Sequence, residues 1–359
     1  MNTINIAIDA MGGDHGHEVI VKGAILTSGS YPGKLYLVGD EQKLRAALAR
    51  EKYTGTGIEI VPASEEIKMD ESPKEGIENK PDSSIIVAAK LVADNKAEAL
   101  VSAGGTGSVV LAAAKNIPRI SGVRRTAIAT VYPTMNESNR KDILALMMDV
   151  GANVRCSADE LVQFAIMGSA YVGDLRGISN PKIALLNIGE EASKGGEKMQ
   201  EAYKILKDTP SLNFIGNIEG KDILRGVADI IITEGFVGNI VIKTLEGAAK
   251  TLGRLSKLAF KSRIIWRFGL IMLSKGLKML KEVTDYSEYG GAPLLGFEKM
   301  VIIAHGRSNA KAISNAIKLA GKCVRDDVCG QISRNISEFE RMPGREYERL
   351  THEGYVTEE

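Results

Sequence analysis

Hydrophobic and polar positions along this chain repeat as one unit: a short aliphatic, β-branched run, a break rich in Gly, Asn and Asp, then a helical stretch. The unit occurs at INIAIDAMGGDHG from Ile4, LYLVGD from Leu35, ALVSAGGTGS from Ala99 and ALMMDVGAN from Ala145. It returns at IALLNIGEEASKGG from Ile183, FIGNIEG from Phe214, DIIITEGFVGN from Asp229 and VIIAHGRSN from Val301. Strands apolar on both faces, alternating with helices, predict an α/β/α layered fold around a largely parallel sheet. In such a sheet the loops at the strand carboxyl ends, and the helix N-termini after them, converge on one crevice. Glycine there lets a backbone N–H approach a ligand, and an open helix N-terminus favours an anion. The pattern predicts a protein that holds something phosphorylated.

Helical spacing covers Glu18 to Thr27, Glu41 to Glu51, Asp82 to Asn95, Gly107 to Asn116, Ala158 to Asp174, Lys194 to Lys207, Asn239 to Lys261, Leu270 to Lys281 and Asn309 to Ile332. Met69 to Pro81, with two prolines and many charges, reads as an exposed loop near the crevice, and Tyr132 to Arg140 as another. No Pro/Ser-rich linker divides the chain. Residues 1–338 therefore read as a single α/β domain with a helical hairpin inserted at 254–281, and residues 339–359 as a loose polar tail.

Composition narrows the class. The 38 glycines among 359 residues exceed the roughly 7% usual share, and the excess falls in the strand-end loops. Lysine and arginine number 46 against 45 acidic residues, so the chain as a whole is no nucleic-acid binder. Cys156, Cys323 and Cys329 form neither a CxxC pair nor an even framework, which fits a reducing cytoplasm. No signal peptide is expected before the strand at Ile4, and no apolar run approaches the roughly 20 residues that span a bilayer.

Charge is nevertheless segregated locally. Between Glu246 and Glu282 there is no acidic residue, while Lys250, Arg254, Lys257, Lys261, Arg263, Arg267, Lys275, Lys278 and Lys281 are cationic. At the centre lies IIWRFGLIML, Ile264 to Leu273, with the only tryptophan of the chain. Two readings fit. One is an interfacial anchor whose Ile264, Ile265, Trp266, Phe268 and Met272 meet an anionic membrane. The other is a dimer-interface hairpin with a buried tip. Aromatic, apolar and cationic residues in one segment favour the membrane, and a hairpin can serve both ends.

Several chemistries are excluded. No GxGxxG follows a strand, so a nicotinamide cofactor lacks its phosphate turn, and no Gly-Lys pair is followed by Ser or Thr as a Walker loop requires. There is no GxSxG elbow, and Cys156 reads as a small residue near a helix start rather than a nucleophile. Asp9, Asp14, His15 and His17 offer a weak metal pattern; the simpler expectation is no metal, with Asp14 capping the next helix. No cofactor is expected.

AIDAMGGD at Ala7 to Asp14, SAGGTGS at Ser102 to Ser108, MDVGAN around Asp149, LLNIGEE with KG at Lys194, GNIEG, ITEGFVGN ending at Asn239, EYGGAPLLG and AHGRS around His305 together resemble the bacterial acyl-ACP:phosphate acyltransferases. The resemblance runs in order from Met1 to about Gly330. It departs at Gly105, where the family more often has Asn, which removes a polar contact, and at Glu234, often Asp. It implies a fold similar to phosphotransacetylases and isocitrate-dehydrogenase-like enzymes, and a homodimer. It also implies transfer of a long-chain acyl group from acyl carrier protein (ACP) to inorganic phosphate, giving acyl phosphate for a membrane-bound glycerol-3-phosphate acyltransferase. A phosphotransacetylase that uses acyl-CoA is the alternative.

That reaction needs no catalytic triad, because phosphate is already nucleophilic and a thioester already has a good leaving group. The protein must position two anionic partners and stabilise an oxyanion. Lys194 is the candidate cation, or else a solvated helix-start lysine; a lysine at a helix N-terminus is electrostatically misplaced unless an anion sits beside it. Asn239 is the candidate to orient phosphate or carbonyl, or else a plain N-cap, and His305 the candidate for proton handling, or else a structural loop residue. Gly12, Gly13, Asp14, Ser102, Gly104, Thr106, Gly107, Asn153 and Asn187 complete the expected binding shell.

Overall fold

The apolar runs become strands in a computed structural model that describes residues 3–135, 142–261 and 290–342. In chain order the elements begin with β1 Ile6–Asp9, α1 His17–Ser28, β2 Leu35–Gly39, α2 Glu41–Arg50, β3 Ile58–Pro62, α3 Pro73–Asn79, α4 Ser84–Ala93, β4 Ala99–Ser102, α5 Thr106–Asn116, β5 Ala127–Pro133 and β6 Leu144–Met148. There follow α6 Ala158–Arg176, β7 Lys182–Leu186, α7 Gly196–Lys207, β8 Asn213–Ile218, a 3-10 turn Gly220–Arg225, β9 Ile230–Ile232, α8 Gly235–Lys261, β10 Ala292–Leu295, β11 Met300–Ile303, α9 Ala310–Arg325 and α10 Val328–Glu340. The apolar tip (Ile264, Ile265, Trp266, Phe268, Met272), the helix expected at Leu270 to Lys281 and the tail from 343 lie outside the described residues.

All eleven strands join one sheet in the order β3-β2-β1-β4-β11-β10-β5-β6-β9-β7-β8. Neighbours are parallel except β10 against β11 and β5, and β5 against β6. Three consecutive antiparallel pairs, β11 with β10, β10 with β5 and β5 with β6, reverse chain direction between the halves. Strands β1, β4 and β11 therefore run in one direction and β6, β7 and β9 in the opposite one.

Helices cover both faces. On one, α1, α2, α6, α7, α9 and α10 bury residues such as Leu44, Phe164, Leu206 and Ile317 against Ile6, Ile8, Val101 and Leu185. On the other, α3 to α5 cover Ala7, Leu100 and Val301, and the inner turns of α8 place Val241, Ile242 and Leu245 against Met147, Ala184 and Ile231. Each large side chain buried this way contributes roughly 1.5–3 kcal/mol. From Ala248 outward the described side chains of α8 are exposed, Leu252, Leu255 and Leu258 among them.

Three boundaries differ from the local reading. The segment Met69 to Pro81 contains α3, which opens on Ser72 accepting from the Glu75 N–H and on Pro73, whose fixed φ suits a first turn. The helix expected to run unbroken from Asn309 to Ile332 breaks at Asp327, held at φ 53°, where a short polar side chain tolerates the left-handed turn; α10 then continues to Glu340. Helix α8 starts at Gly235, a turn before Asn239, so Asn239 is not its cap.

Candidate active site

Strand β10 pairs with β5 only at Leu294↔Ile128 and Leu295↔Ala127. Beyond that short pairing, Ala292 on one strand and Thr130 and Val131 on the other line a cavity of about 460 Å³. Gly104, Thr106 and Gly107 present the first turn of α5 to it, His305, Gly306 and Ser308 come from the loop after β11, and Val150 and Gly151 from the loop after β6. Helix α8 adds Asn239, Ile242, Lys243 and Glu246, whose three- and four-residue spacing places them on one helix face. A separate cavity of about 640 Å³ lies by the amino ends of β1 and β2. Its one lysine, Lys34, is spent on Glu59 at 2.7 Å.

Two buried aspartates build the loops. Asp9, at the end of β1, accepts from Ser84 Oγ and Ser102 Oγ, each at 2.6 Å, and Ser102 Oγ in turn accepts from the Gly104 N–H at 3.0 Å. Gly12 packs against that turn: a Cβ there would lie 2.6 Å from Gly104 N. Asp149, just after β6, accepts from the N–H groups of Ile128, Gly151, Ala152 and Asn153 and from Asn153 Nδ2. Burial pushes both carboxyls above the ordinary range, against the hydrogen bonds that pull them down.

The helix N-terminus at the cavity is open, since Gly105 precedes α5 and no side chain caps it. Its unpaired N–H groups suit an anion. Lys243 lies 3.6 Å from Glu246, and Arg307 lies 3.6 Å from Asp14. His305 is half-buried and its Nδ1 accepts from the Arg307 N–H at 3.1 Å. Desolvation holds its imidazole below the ordinary value, Lys243 pushes the same way, and Glu246 opposes. Cys156 is buried, and burial with nearby carboxylates pushes its thiol up to about 12. It carries no thiolate at neutral pH.

The cavity gathers Asp14, Gly104, Thr106, Gly107, Asn239 and His305 from the expected set. The others stand elsewhere. Gly13 supports the turn beneath Gly306, and Ser102 is buried under the loop on Asp9. The Asn153 amide is spent on Thr126 O and Asp149. Asn187 donates to Lys194 O, and the Lys194 side chain is exposed on the loop after β7, outside the cavity lining. Asp14 does not cap α1, whose N-cap is Gly16. Among the described residues no group of three or more His, Cys, Asp or Glu is placed to hold a metal ion. Unforeseen were Lys243, Glu246 and the loop-building roles of Asp9 and Asp149. The first two carry a legible signal, since they follow Asn239 at four and seven residues.

The fold is that of the phosphotransacetylases: a phosphotransacetylase from Streptococcus pyogenes superposes with a TM-score of 0.60 at 18% identity, over 93% of this chain and 94% of that one. Sequence is more specific. Residues 4–331 match the family described as fatty acid synthesis protein. A phosphate acyltransferase of Dictyoglomus turgidum is 45% identical over 94% of this chain and 98% of its own length, and one of Desulfitobacterium hafniense (strain Y51) is 43% identical over the same shares. The chain belongs to this family of phosphate acyltransferases, and it is an enzyme of that acyltransferase class.

Proposed function

We infer that the protein transfers a long-chain acyl group from the thioester of ACP to inorganic phosphate, releasing free carrier and acyl phosphate for glycerol-3-phosphate acylation in phospholipid synthesis. One observation carries the reading: a single cavity joins an apolar wall of Ile128, Val131, Val150, Ile242 and Ile303 to the uncapped N-terminus of α5. The wall suits an acyl chain, at roughly 0.8 kcal/mol per buried CH₂, and the helix end suits phosphate.

A phosphate oxygen bonds to the thioester carbon, the carbonyl electrons move to oxygen, and their return breaks the C–S bond. The sulfur leaves with the electron pair and takes up a proton. In this reading Gly104, Thr106 and Gly107 hold phosphate, and Asn239 orients phosphate or carbonyl. His305 passes the proton, and Lys194 offsets growing charge from the neighbouring loop. The exposed Leu252, Leu255 and Leu258 on α8 support a homodimer, and Lys250 and Arg254 beside them support an acidic carrier and an anionic lipid surface. Among the described residues no helix is long and apolar enough to cross a membrane. The reading is a cytoplasmic enzyme that touches the membrane peripherally.

Incubating the protein with acyl-ACP and phosphate, and following acyl phosphate together with free carrier thiol, tests the reading. Equimolar appearance of the two is expected. Turnover of short-chain acyl-CoA in preference to acyl-ACP would assign it to the CoA-using phosphotransacetylases instead.

A further inference from the structure

Asp149 carries more of the cavity's architecture than any group assigned to it above. Its carboxylate is fully buried. Oδ1 accepts from Ile128 N at 3.0 Å and from Gly151 N and Ala152 N at 3.1 Å, while Oδ2 accepts from Asn153 N at 2.8 Å and Asn153 Nδ2 at 2.9 Å. Two of those donors, Ile128 and Gly151, belong to residues that line the cavity.

The same residue seats helix α8. A Cβ at Gly235 would lie 2.5 Å from Asp149 Oδ2 and would also overlap Asn153 O, and a Cβ at Gly238 would overlap the Asp149 carbonyl oxygen. The first turn of α8 therefore rests directly on the Asp149 turn, which only glycine permits. Gly235 precedes Asn239 by one helical turn, so both lie on one side of α8, and a Cβ at Gly151 would lie 3.7 Å from Asn239 Cβ. Asp9 supports the other loop, reaching the cavity residue Gly104 through Ser102, and makes no contact with α8 among its hydrogen bonds to Ser84, Ser102 and Met11.

We propose that Asp149 is a positioning residue of the acyl-transfer reaction, setting the loop 150–153 and the start of α8 so that Asn239 faces the uncapped N-terminus of α5 across the cavity. The proposal rests on the reading of Asn239 given above. Asp149→Asn keeps the shape and removes one acceptor oxygen, so three donors on one side or two on the other lose a good partner. The expected result is a kcat lower by about thirtyfold, with KM for phosphate and for acyl-ACP changed by less than about threefold, at unchanged near-UV circular dichroism.

The deciding measurement is a double-mutant cycle in kcat. If Asp149 acts through Asn239, adding Asp149→Asn to Asn239→Ala lowers kcat by less than about threefold further. A second full loss in that background would show an independent structural effect and overturn the positioning role alone. Wild-type turnover by Asn239→Ala by itself would remove Asn239 from the site and overturn both readings. Should Asp149→Asn not fold, Gly235→Ala, which disturbs the same seat from the helix side, passes through the same cycle and separates the same two outcomes.

Discussion

The His305 imidazole sits in a cavity with Lys243 and Glu246 on the facing helix, Asp14 in the lining and Arg307 two residues away, and its burial outweighs the pull of Glu246. The folded chain thus binds a proton there less readily than the unfolded chain, whose histidine titrates near 6.5. Stability from this group is present above that value and is lost as pH falls through it, not as pH rises. An NMR titration should place the His305 midpoint below 6.5, and Lys243→Met should move it up; a midpoint that stays or falls would show that Lys243 does not act on His305. Lys194 makes a different demand. Its side chain is exposed and rests only along Gly189, so Lys194→Ala should leave the unfolding midpoint nearly in place while acyl phosphate formation drops by at least about a hundredfold, the order of one lost charge-stabilising donor. Unchanged turnover at saturating phosphate would remove Lys194 from the mechanism. His305 and Asn239 were legible as candidates because they end strand-and-glycine units; Asp149 was equally visible in MDVGAN, but nothing local reveals that five donors converge on it.

At the scale of the element, the best-encoded boundary is the start of α6. Ser157 accepts from the Glu160 N–H at 3.3 Å, and Glu160 Oε2 accepts from the Ser157 N–H at 2.8 Å, a reciprocal cap written in the sequence as S-x-x-E. Ser157→Ala should cost about 1 kcal/mol, read as a lower urea midpoint at unchanged slope. A change within error would show that the surrounding packing alone holds this helix end. The start of α8 was less legible for an opposite reason. Gly235 and Gly238 look like loop residues, yet the helix begins on them because the Asp149 turn leaves no room for a Cβ.

For the molecule as a whole, partner recognition follows from charge distribution rather than net charge. Lys243, Lys250 and Arg254 project from one helix of a chain whose formal charge is only +1. Raising ionic strength from about 50 to about 300 mM should increase KM for acyl-ACP more than KM for phosphate, because a docking surface of several exposed charges is screened over the Debye length. A salt effect confined to phosphate would exclude α8 as the carrier surface.

Sequence by itself determined the layered α/β fold, most strands and helices, and the choice of glycine loops as the place for chemistry. Hydrophobic period, caps and turn residues act within a few positions of the chain, so they are written locally. Tertiary structure alone decided the rest. Strand β5 ends inside a segment that reads locally as a loop, yet the antiparallel pairing of β5 with β10 and β6 takes part in reversing the sheet. The register of strands far apart in sequence is fixed by burial of both faces at once, which no local window contains. The same holds for the cavity: β10 and β5 pair for two residues only, and the space beyond them, walled by α5 and α8, exists only when those distant segments are assembled.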